Sequence, residues 1–243
     1  MKAWYRKNSI LLETDQLMEA LGLEDFSQGS IAVVGAGGKT STIFQLAKEM
    51  ADRNRRVIIT TTTHMYRESG ALATTPEEAE RLLLQQPIVI VGRLVEDGKI
   101  RGLSEDDTKK LKLIADVLLI EADGSKHLPL KVPAETEPVI PRETDRVIVV
   151  AGLSGIGHPI SECCHRAELV QELLQRPSEH ILESKEVAVM IQKGYLDRCV
   201  RSEGFPGMVI LNQADDLARR ETAKELIELL EPYPCIMTQL QEE

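Results

Sequence analysis

The stretch from Gly35 to Ser41 combines three glycines with a lysine and two hydroxyl side chains. An apolar run, Ile31 to Val34, precedes it, and helical spacing of apolar residues begins at Ile43. Glycines between a strand and a helix let backbone N–H groups and the helix dipole bind an anion such as phosphate. Residues of the predicted phosphate loop are Gly35, Ala36, Gly37, Gly38, Lys39, Thr40 and Ser41. Lys39 is expected to reach the terminal phosphates of a nucleotide, and Thr40 to bind Mg²⁺.

Two departures from common glycine motifs define this loop more closely. Val33 stands where the usual phosphate loop has its first glycine, so the loop is a shortened form. A dinucleotide-binding loop needs a third glycine two residues after Gly38, where this chain has Thr40. The sequence therefore favours a phosphate loop, with a purely structural glycine turn as the alternative.

Two carboxylates follow a later apolar run, Val117 to Ile120. Glu121 and Asp123 are two residues apart, so both side chains would lie on one side of an extended segment. A carboxylate at the end of such a strand can hold Mg²⁺ or activate a nucleophile. We expect catalytic roles for Lys39, Glu121 and Asp123, with Glu121 and Thr40 at the metal; an acidic turn in solvent is the alternative.

Two further strand ends carry polar side chains. The threonines at positions 60 to 63 could orient phosphate through Thr61 and Thr62, or could be ordinary β-branched strand residues. Asn212 and Asp215 resemble the Asn-Lys-x-Asp sequence with which guanine-specific enzymes bind the base, although Gln213 replaces the lysine. A polar turn that caps a helix is the alternative explanation for Asn212 and Asp215.

The segment from Cys163 to Arg166 contains two thiols, an imidazole and a guanidinium group. Three adjacent side chains do not converge on one metal ion without unusual backbone, so a metal site is not expected. His165 and Arg166 suit an anionic partner better. Free cysteine is among the most buried residue types, and adjacent pairs are usually structural, so a structural role is expected for Cys163 and Cys164.

Six short apolar runs alternate with helical patterns along the chain, which predicts an α/β fold. The runs are Ile31 to Val34, Val57 to Thr60, Ile88 to Val91, Val117 to Ile120, Val147 to Val150 and Met208 to Leu211. Because the runs are apolar on both faces, we expect a doubly wound, mostly parallel sheet of the P-loop NTPase type. A small β-hairpin is predicted within residues 93–103, and a proline-rich irregular loop within 124–145. We expect residues 1–243 to form a single nucleotide-binding domain.

Charge and composition exclude several functions. The 243 residues carry 29 Lys and Arg against 39 Asp and Glu, a net charge of −10, and only 3% are aromatic, so nucleic-acid binding is not expected. No apolar run approaches the ~20 residues that span a bilayer, and the N-terminus has no apolar signal core. Four cysteines without a CxxC pair indicate reduced thiols. We therefore expect a cytoplasmic protein without membrane contact.

The order of motifs along nearly the whole chain resembles the YqeC family, accessory proteins of selenium-dependent molybdenum hydroxylases. The matching segments are VVGAGGKTS, TTTTHM, IEADGSKHLPLKVP, PVIP, VIVVAG, the residues from His165 to Glu168, and ILNQADD. The family commonly has Asn-Lys-Ala-Asp where this chain has Gln213. The short loop and the strand-end glutamate also resemble those of the Mur ligases, ATP-dependent enzymes that activate a carboxylate.

This resemblance implies Mg²⁺ and a nucleoside triphosphate, ATP or GTP, as cofactors. It also implies an NTPase that assists maturation of a selenium-containing cofactor, with a molybdenum hydroxylase or its maturation proteins as partners. In such a role, the vicinal thiols Cys163 and Cys164 could carry selenium transiently. Two alternatives stay open. One is a small-molecule kinase or ligase with an acidic acceptor near Lys126 and Lys131, and the other is a nucleotide-gated scaffold without catalysis.

Overall fold

The computed structural model describes residues 1–8 and 10–240. Strands and helices alternate along most of these residues. The strands in chain order are β1 (Lys2–Lys7), β2 (Ile10–Thr14), β3 (Gly29–Gly35), β4 (Val57–Thr61), β5 (His64–Tyr66), β6 (Leu72–Ala73), β7 (Ile88–Val91), β8 (Arg93–Leu94), β9 (Lys99–Arg101), β10 (Val117–Glu121), β11 (Leu130–Lys131), β12 (Arg146–Gly152), β13 (Cys164–His165), β14 (Gly207–Asn212) and β15 (Cys235–Gln239). The α-helices are α1 (Leu17–Ala20), α2 (Lys39–Asp52), α3 (Pro76–Leu83), α4 (Glu105–Ile114), α5 (Ile160–Cys163), α6 (Ala167–Leu174), α7 (Ser184–Ile191) and α8 (Leu217–Leu229). A π-helix, Gln192–Arg201, continues α7.

Ten strands form one sheet in the order β2-β1-β15-β14-β12-β3-β10-β4-β7-β6. Every neighbouring pair from β15 to β6 is parallel, and β1 runs antiparallel to β15 and β2. All six apolar runs of the sequence are strands of this sheet. The predicted α/β fold with a mostly parallel sheet is confirmed.

Helices cover both faces of the sheet, which explains why its central strands are apolar on both sides. Ile31 and Val33 of β3 belong to one core cluster, together with α1 and α2. Ala32 and Val34 belong to the other, together with α3, α4, α7 and α8. Each fully buried Val or Ile side chain among these contributes about 1.5–3 kcal/mol of hydrophobic stabilisation. The predicted doubly wound arrangement is confirmed.

The helix ends follow local sequence signals. The side chains of Thr75 and Ser104 accept hydrogen bonds from the backbone N–H groups of Glu78 and Asp107, which satisfies donors at the starts of α3 and α4. The start of α2 has no side-chain cap, because Gly38 occupies the N-cap position. Within the described ranges, no helix is both long and apolar enough to cross a membrane.

Two irregular regions flank the carboxyl ends of the strands. The predicted hairpin is present as β8 and β9, with left-handed backbone at Asp97 (φ 60°) and Gly98 (φ 68°), and β5 adds a third strand to it. The loop at 124–145 contains only the two-residue strand β11, which pairs with β13. Both regions therefore lie where the parallel strands end, as ligand-binding segments do in α/β folds.

Candidate functional site

A cavity of about 830 Å³ opens at the carboxyl ends of β3 and β10. This volume is in the range of small-molecule sites in proteins. Its lining residues are Gly37, Gly38, Lys39, Thr40, Ser41, His64, Met65, Tyr66, Glu68, Lys99, Glu121, Gly124, Ser125, Lys126, His127, Glu137, His165, Arg166 and Gln213. The predicted phosphate loop thus forms part of the cavity. Most of the remaining lining comes from β5 and the residues just after it, from the loop after β10, and from His165 and Arg166 before α6.

The glycines of the loop are required by close backbone packing. At Gly37 (φ +78°), an added Cβ would lie 2.5 Å from Cα of Gly152. At Gly38 (φ +127°), it would lie 2.2 Å from Nδ2 of Asn212. A side chain at either position would collide with its neighbour, and an L-residue would also be strained by the positive φ. The loop is therefore held with its backbone at the cavity.

Lys39 is the first residue of α2, and its side chain is buried at the loop. Its Nζ donates hydrogen bonds to the carbonyl of Gly35 (2.8 Å) and to Oγ of Ser125 (3.2 Å). It also lies 3.3 Å from Oδ1 of Asp123. The ammonium group is thus paired yet still borders the cavity.

Asp123 is fully buried and does not line the cavity. It accepts hydrogen bonds from the backbone N–H of Gly35 (3.1 Å) and from the hydroxyl of Tyr195 (3.0 Å). Burial, reinforced by the negative charge of Asp123, raises the pKa of Tyr195 well above its ordinary value. With Lys39 and Lys131 as ion partners, Asp123 fixes the loop backbone, a geometry that suits a positioning role better than contact with a ligand.

Glu121 ends β10 and does line the cavity. Its Oε2 accepts a hydrogen bond of 2.8 Å from Oγ1 of Thr40. Burial raises the pKa of Glu121, against the opposing effects of Lys39 and the Thr40 hydroxyl. The structure therefore brings together the two residues that the sequence predicts as metal ligands, a hydroxyl and a carboxylate at the start of α2.

The threonine hydroxyls bond to backbone carbonyls outside the cavity. Thr61 donates to the carbonyl of Glu121 (2.8 Å), and Thr62 donates to that of Val139 (2.7 Å). Neither residue lines the cavity, whereas His64 and Tyr66, which follow directly, do. The geometry favours a structural role for Thr61 and Thr62, holding β4 against β10 and the proline-rich loop.

Asn212 and Asp215 also have protein partners. Nδ2 of Asn212 donates to the carbonyl of Gly37 (2.8 Å), and its Oδ1 accepts from Thr238 (2.9 Å), so this buried amide braces the loop. Asp215 pairs with Arg219 at 2.8 Å and does not line the cavity. Gln213 does line it, with Oε1 bound to the Ser154 hydroxyl at 2.6 Å.

The two adjacent thiols are buried away from the cavity. Cys163 and Cys164 are both buried, with their Sγ atoms 3.7 Å apart. The hydrogen bond with Cys163, together with burial, raises the pKa of Cys164 and keeps it a thiol. Across the described ranges, no group of three or more His, Cys, Asp and Glu side chains could hold a metal ion. This placement favours a structural role for both cysteines.

A buried ion cluster joins the irregular segments next to the cavity. The side chain of Lys131 has no exposed surface and contacts Asp123 Oδ2 at 3.2 Å and Glu137 Oε2 at 2.8 Å. Glu137 also accepts two hydrogen bonds from Arg166, whose backbone is left-handed (φ 58°). Burial opposes ionisation of Glu137, but the bonds from Arg166 and Lys131 outweigh it and lower its pKa to about 2.

This pKa predicts a specific dependence of stability on pH. Because the pKa of Glu137 falls from an ordinary 4.5 to about 2 on folding, its contribution is present above pH 4.5 and is lost as the pH falls toward 2. Glu137→Gln is expected to lower the free energy of unfolding by about 2 kcal/mol at pH 7. Urea denaturation followed by circular dichroism measures this. The difference in free energy of unfolding between the wild type and the variant should be smaller at pH 3 than at pH 6. A matched change at the exposed Glu135, Glu135→Gln, should have little effect, and a gap that stays constant with pH would contradict the assignment.

Sequence reasoning missed several lining residues, namely His64, Tyr66, Lys99, His127 and Glu137. His64 and Tyr66 belong to β5, which pairs with β9 of the predicted hairpin. The rings of Tyr66 and His127 lie 4.8 Å apart, and Nζ of Lys99 lies 4.8 Å from the Tyr66 ring. The sequence signal for His64 and Tyr66 was the segment that begins at Thr63, just after β4, taken together with the predicted hairpin.

Comparisons with known proteins found similar solved structures and similar sequences. Among solved structures, FlhF in complex with GMPPNP and Mg(2+) is 14% identical, with a TM-score of 0.45 over 88% of this chain and 69% of that one. The hydrogenase maturation factor HypB from Archaeoglobus fulgidus is 9% identical, with a TM-score of 0.37 over 90% and 85%.

Two sequence comparisons, with a single protein and with a family model, cover more than half of the chain. The protein named YqeC from Escherichia coli (strain K12) is 34% identical over 171 residues, which cover 67% of each sequence. The family model described as YqeC protein matches residues 31–168, more than half of the chain. On these two matches, the chain belongs to the YqeC family.

Proposed function

We propose that the chain binds a nucleoside triphosphate, ATP or GTP, with Mg²⁺ at the loop from Gly35 to Ser41. The observation that carries this proposal is the 2.8 Å contact between Thr40 and Glu121 at the start of α2, inside the cavity that the loop lines. The positive end of α2, the loop N–H groups and the Lys39 ammonium together suit the charge of a triphosphate.

The residues present fit a phosphate group. Gly37 and Gly38 have positive φ and pack closely against Gly152 and Asn212, so the loop backbone is held in one conformation beside the cavity. Backbone N–H groups at a helix start are common donors to phosphate. Lys39 has three N–H donors, and two of its acceptors, the Gly35 carbonyl and the Ser125 hydroxyl, are neutral. A phosphate oxygen can replace a neutral acceptor while the ion pair with Asp123 stays intact.

The residues also fit Mg²⁺, which prefers oxygen ligands and is commonly held by one or two carboxylates together with substrate phosphates. Thr40 and Glu121 supply a hydroxyl and a carboxylate oxygen in contact with each other. A buried carboxylate is costly unless a cation accompanies it. When bound, the metal would supply stabilisation of the charge on the phosphates.

The metal assignment predicts the behaviour of Glu121→Gln. We expect the variant to fold and to lose about tenfold in nucleotide affinity with Mg²⁺ present, because one charged ligand is removed. Affinity measured in excess EDTA should match that of the wild type. Glu68→Gln, an exposed carboxylate of the same cavity, is the matched control. An equal loss with and without Mg²⁺ would remove Glu121 from the metal site.

The hydrogen bond between Asn212 and the loop predicts an effect on nucleotide affinity that does not depend on the base. Asn212→Ala removes the hydrogen bond to Gly37, so we expect ATP and GTP to bind about three- to tenfold more weakly, by the same factor. Parallel titrations of both nucleotides check this. A selective loss of GTP would instead support the guanine-binding hypothesis for Asn212 and Asp215.

We further propose that nucleotide turnover at this site serves maturation of the selenium-containing cofactor of a molybdenum hydroxylase. Family membership supports this role, and the residues support only the nucleotide site. The experiment compares a gene deletion with a Lys39→Ala strain, measuring selenium and activity in the purified hydroxylase. Normal values in both strains would reject the role, and loss in the deletion alone would favour a scaffold.

A second candidate function is a small-molecule kinase or ligase. The observation that favours it is the extent of the cavity, which continues past the loop to His64, Tyr66 and His127 and leaves room for a second substrate. Turnover of a defined acceptor by the purified chain, without any partner protein, would identify this activity.

A further inference from the structure

We propose that the part of the cavity lined by Lys126, His127, His165 and Arg166 is a second subsite, which binds a small acceptor molecule through a phosphate or carboxylate group. The inference rests on the proposed function, because it assumes that the loop from Gly35 to Ser41 holds the nucleotide. It assigns the rest of the cavity to the second substrate, the acceptor molecule.

The first support is charge. Beyond the loop, the cavity is lined by three permanent cations, Lys99, Lys126 and Arg166, in a chain whose net charge is −10. Of its lining carboxylates, Glu121 bonds to Thr40 and Glu137 is paired with Lys131 and Arg166, which leaves Glu68 at an exposed position. A cationic wall in an acidic protein draws in anions.

Lys126 is the cation best placed to receive a ligand. It is exposed, it lines the cavity, and no described residue accepts a hydrogen bond from its ammonium group. By contrast, Lys131 is fully buried between Asp123 and Glu137 and does not line the cavity. Of the two lysines that the sequence suggests for an acidic acceptor, the geometry therefore favours Lys126 for contact and Lys131 for support.

The second support is backbone conformation. Positive φ is uncommon outside glycine, asparagine and aspartate, and it persists where the surrounding structure and function require it. Among the described residues, the non-glycine positions with positive φ that are neither Asn nor Asp are Lys126, His127, Arg166, Gln175 and Gln213. All of them except Gln175 line this cavity. Such a concentration in one cavity indicates that the backbone is held there to present these side chains to a ligand.

The third support is the arrangement of the imidazoles. Burial, and then the charges of Lys131, Arg166 and Lys126, lower the pKa of His165, so its ring is neutral at pH 7 and can donate one hydrogen bond and accept another. The His127 ring packs on Tyr66, with centroids 4.8 Å apart, which orders it at the cavity wall. The subsite thus combines a cation that has no hydrogen-bond acceptor among the described residues with two imidazole rings, one of which packs on Tyr66.

Calorimetry with inorganic phosphate and with citrate tests the subsite. The titrations use full-length chain saturated with Mg²⁺ and a non-hydrolysable nucleotide, at low ionic strength, so that the loop is occupied. We expect at least one probe to bind, and Lys126→Ala to weaken it about five- to tenfold, since a charge-assisted contact is lost. The preferred probe separates a phosphate acceptor from a carboxylate acceptor. Lys48→Ala, an exposed lysine of α2 outside the cavity, is the matched control and should change nothing.

Three outcomes overturn the inference: no binding of either probe, equal affinity in the wild type and Lys126→Ala, or an equal loss in Lys48→Ala. Titration of the nucleotide-free chain separates this inference from the proposed function. If no nucleotide binds but a probe still binds in a manner that depends on Lys126, the nucleotide proposal fails alone. If nucleotide binds and no probe does, the subsite fails alone.

Discussion

Lys39→Ala is expected to weaken nucleotide binding about 10- to 100-fold. Charge-assisted hydrogen bonds contribute about 1.5–3 kcal/mol each, and 1.4 kcal/mol corresponds to a factor of ten in affinity. The Lys39 ammonium is buried at the loop and bonded to Gly35 and Ser125, so the substitution removes a fixed cation from the phosphate loop. Titration of a fluorescent nucleotide analogue, with unlabelled ATP and GTP as competitors, measures the effect.

The same experiment needs a control for folding, because Lys39 is also an ion partner of Asp123. Asp123 keeps Lys131 and its bonds to Gly35 and Tyr195 in the variant, so we expect the circular dichroism spectrum to be retained. Lys48→Ala removes an exposed lysine from the same helix and should bind nucleotide normally. Unchanged nucleotide affinity in a folded Lys39→Ala variant would contradict the phosphate-loop assignment.

Lys131→Met should lower the free energy of unfolding by about 3 kcal/mol at pH 7. The substitution keeps most of the side-chain volume but leaves Asp123 and Glu137 each without one buried partner. It also removes the hydrogen bond to the carbonyl of Gly124 (2.7 Å), which lies in the loop after β10. Because Asp123 keeps Lys39 and Glu137 keeps Arg166, the loss belongs at the lower end of the 3–5 kcal/mol expected for a broken buried pair.

A surface ion pair provides the comparison for Lys131. Lys109 contacts Glu105 at 3.0 Å on α4 with both side chains well exposed, and Lys109→Met should cost less than about 1 kcal/mol. Urea denaturation of both variants, followed by circular dichroism, measures the difference. Equal stability of the two variants would contradict the account. It would mean that the buried ion cluster around Lys131 does not hold the loop at 124–145 against the cavity.

The parts of the fold that the sequence predicts are those with strong local patterns. Central strands buried on both faces appear as apolar runs, and all six were identified. In the same sheet, the edge strands β2 and β6 and the strands β1 and β15 were missed. In β2 the apolar run is only three residues long, Ile10 to Leu12, and these side chains are exposed at the edge of the sheet. The longer apolar run of a strand buried on both faces is therefore absent. Pairing of β15 with β1 joins the two ends of the chain, which no local pattern indicates.

The candidate site also has a part that local sequence patterns predict and a part that they do not. The loop from Gly35 to Ser41 could be predicted because its function depends on residue types that are adjacent in sequence. Partners such as Lys131 and Arg166 lie in segments without regular spacing, and only the folded chain brings them together at Glu137. The role of Asn212 depends on its bond to Gly37, which is distant along the chain.

The most direct test of the central claim is calorimetric titration of the unmodified chain with ATP, GTP and CTP, with Mg²⁺ and in excess EDTA. We predict that at least one nucleoside triphosphate binds with a stoichiometry of one per chain, more tightly with Mg²⁺ than without it. Absence of binding by all three at millimolar concentration, or binding that does not respond to Mg²⁺, would contradict the site built from the phosphate loop, Thr40 and Glu121.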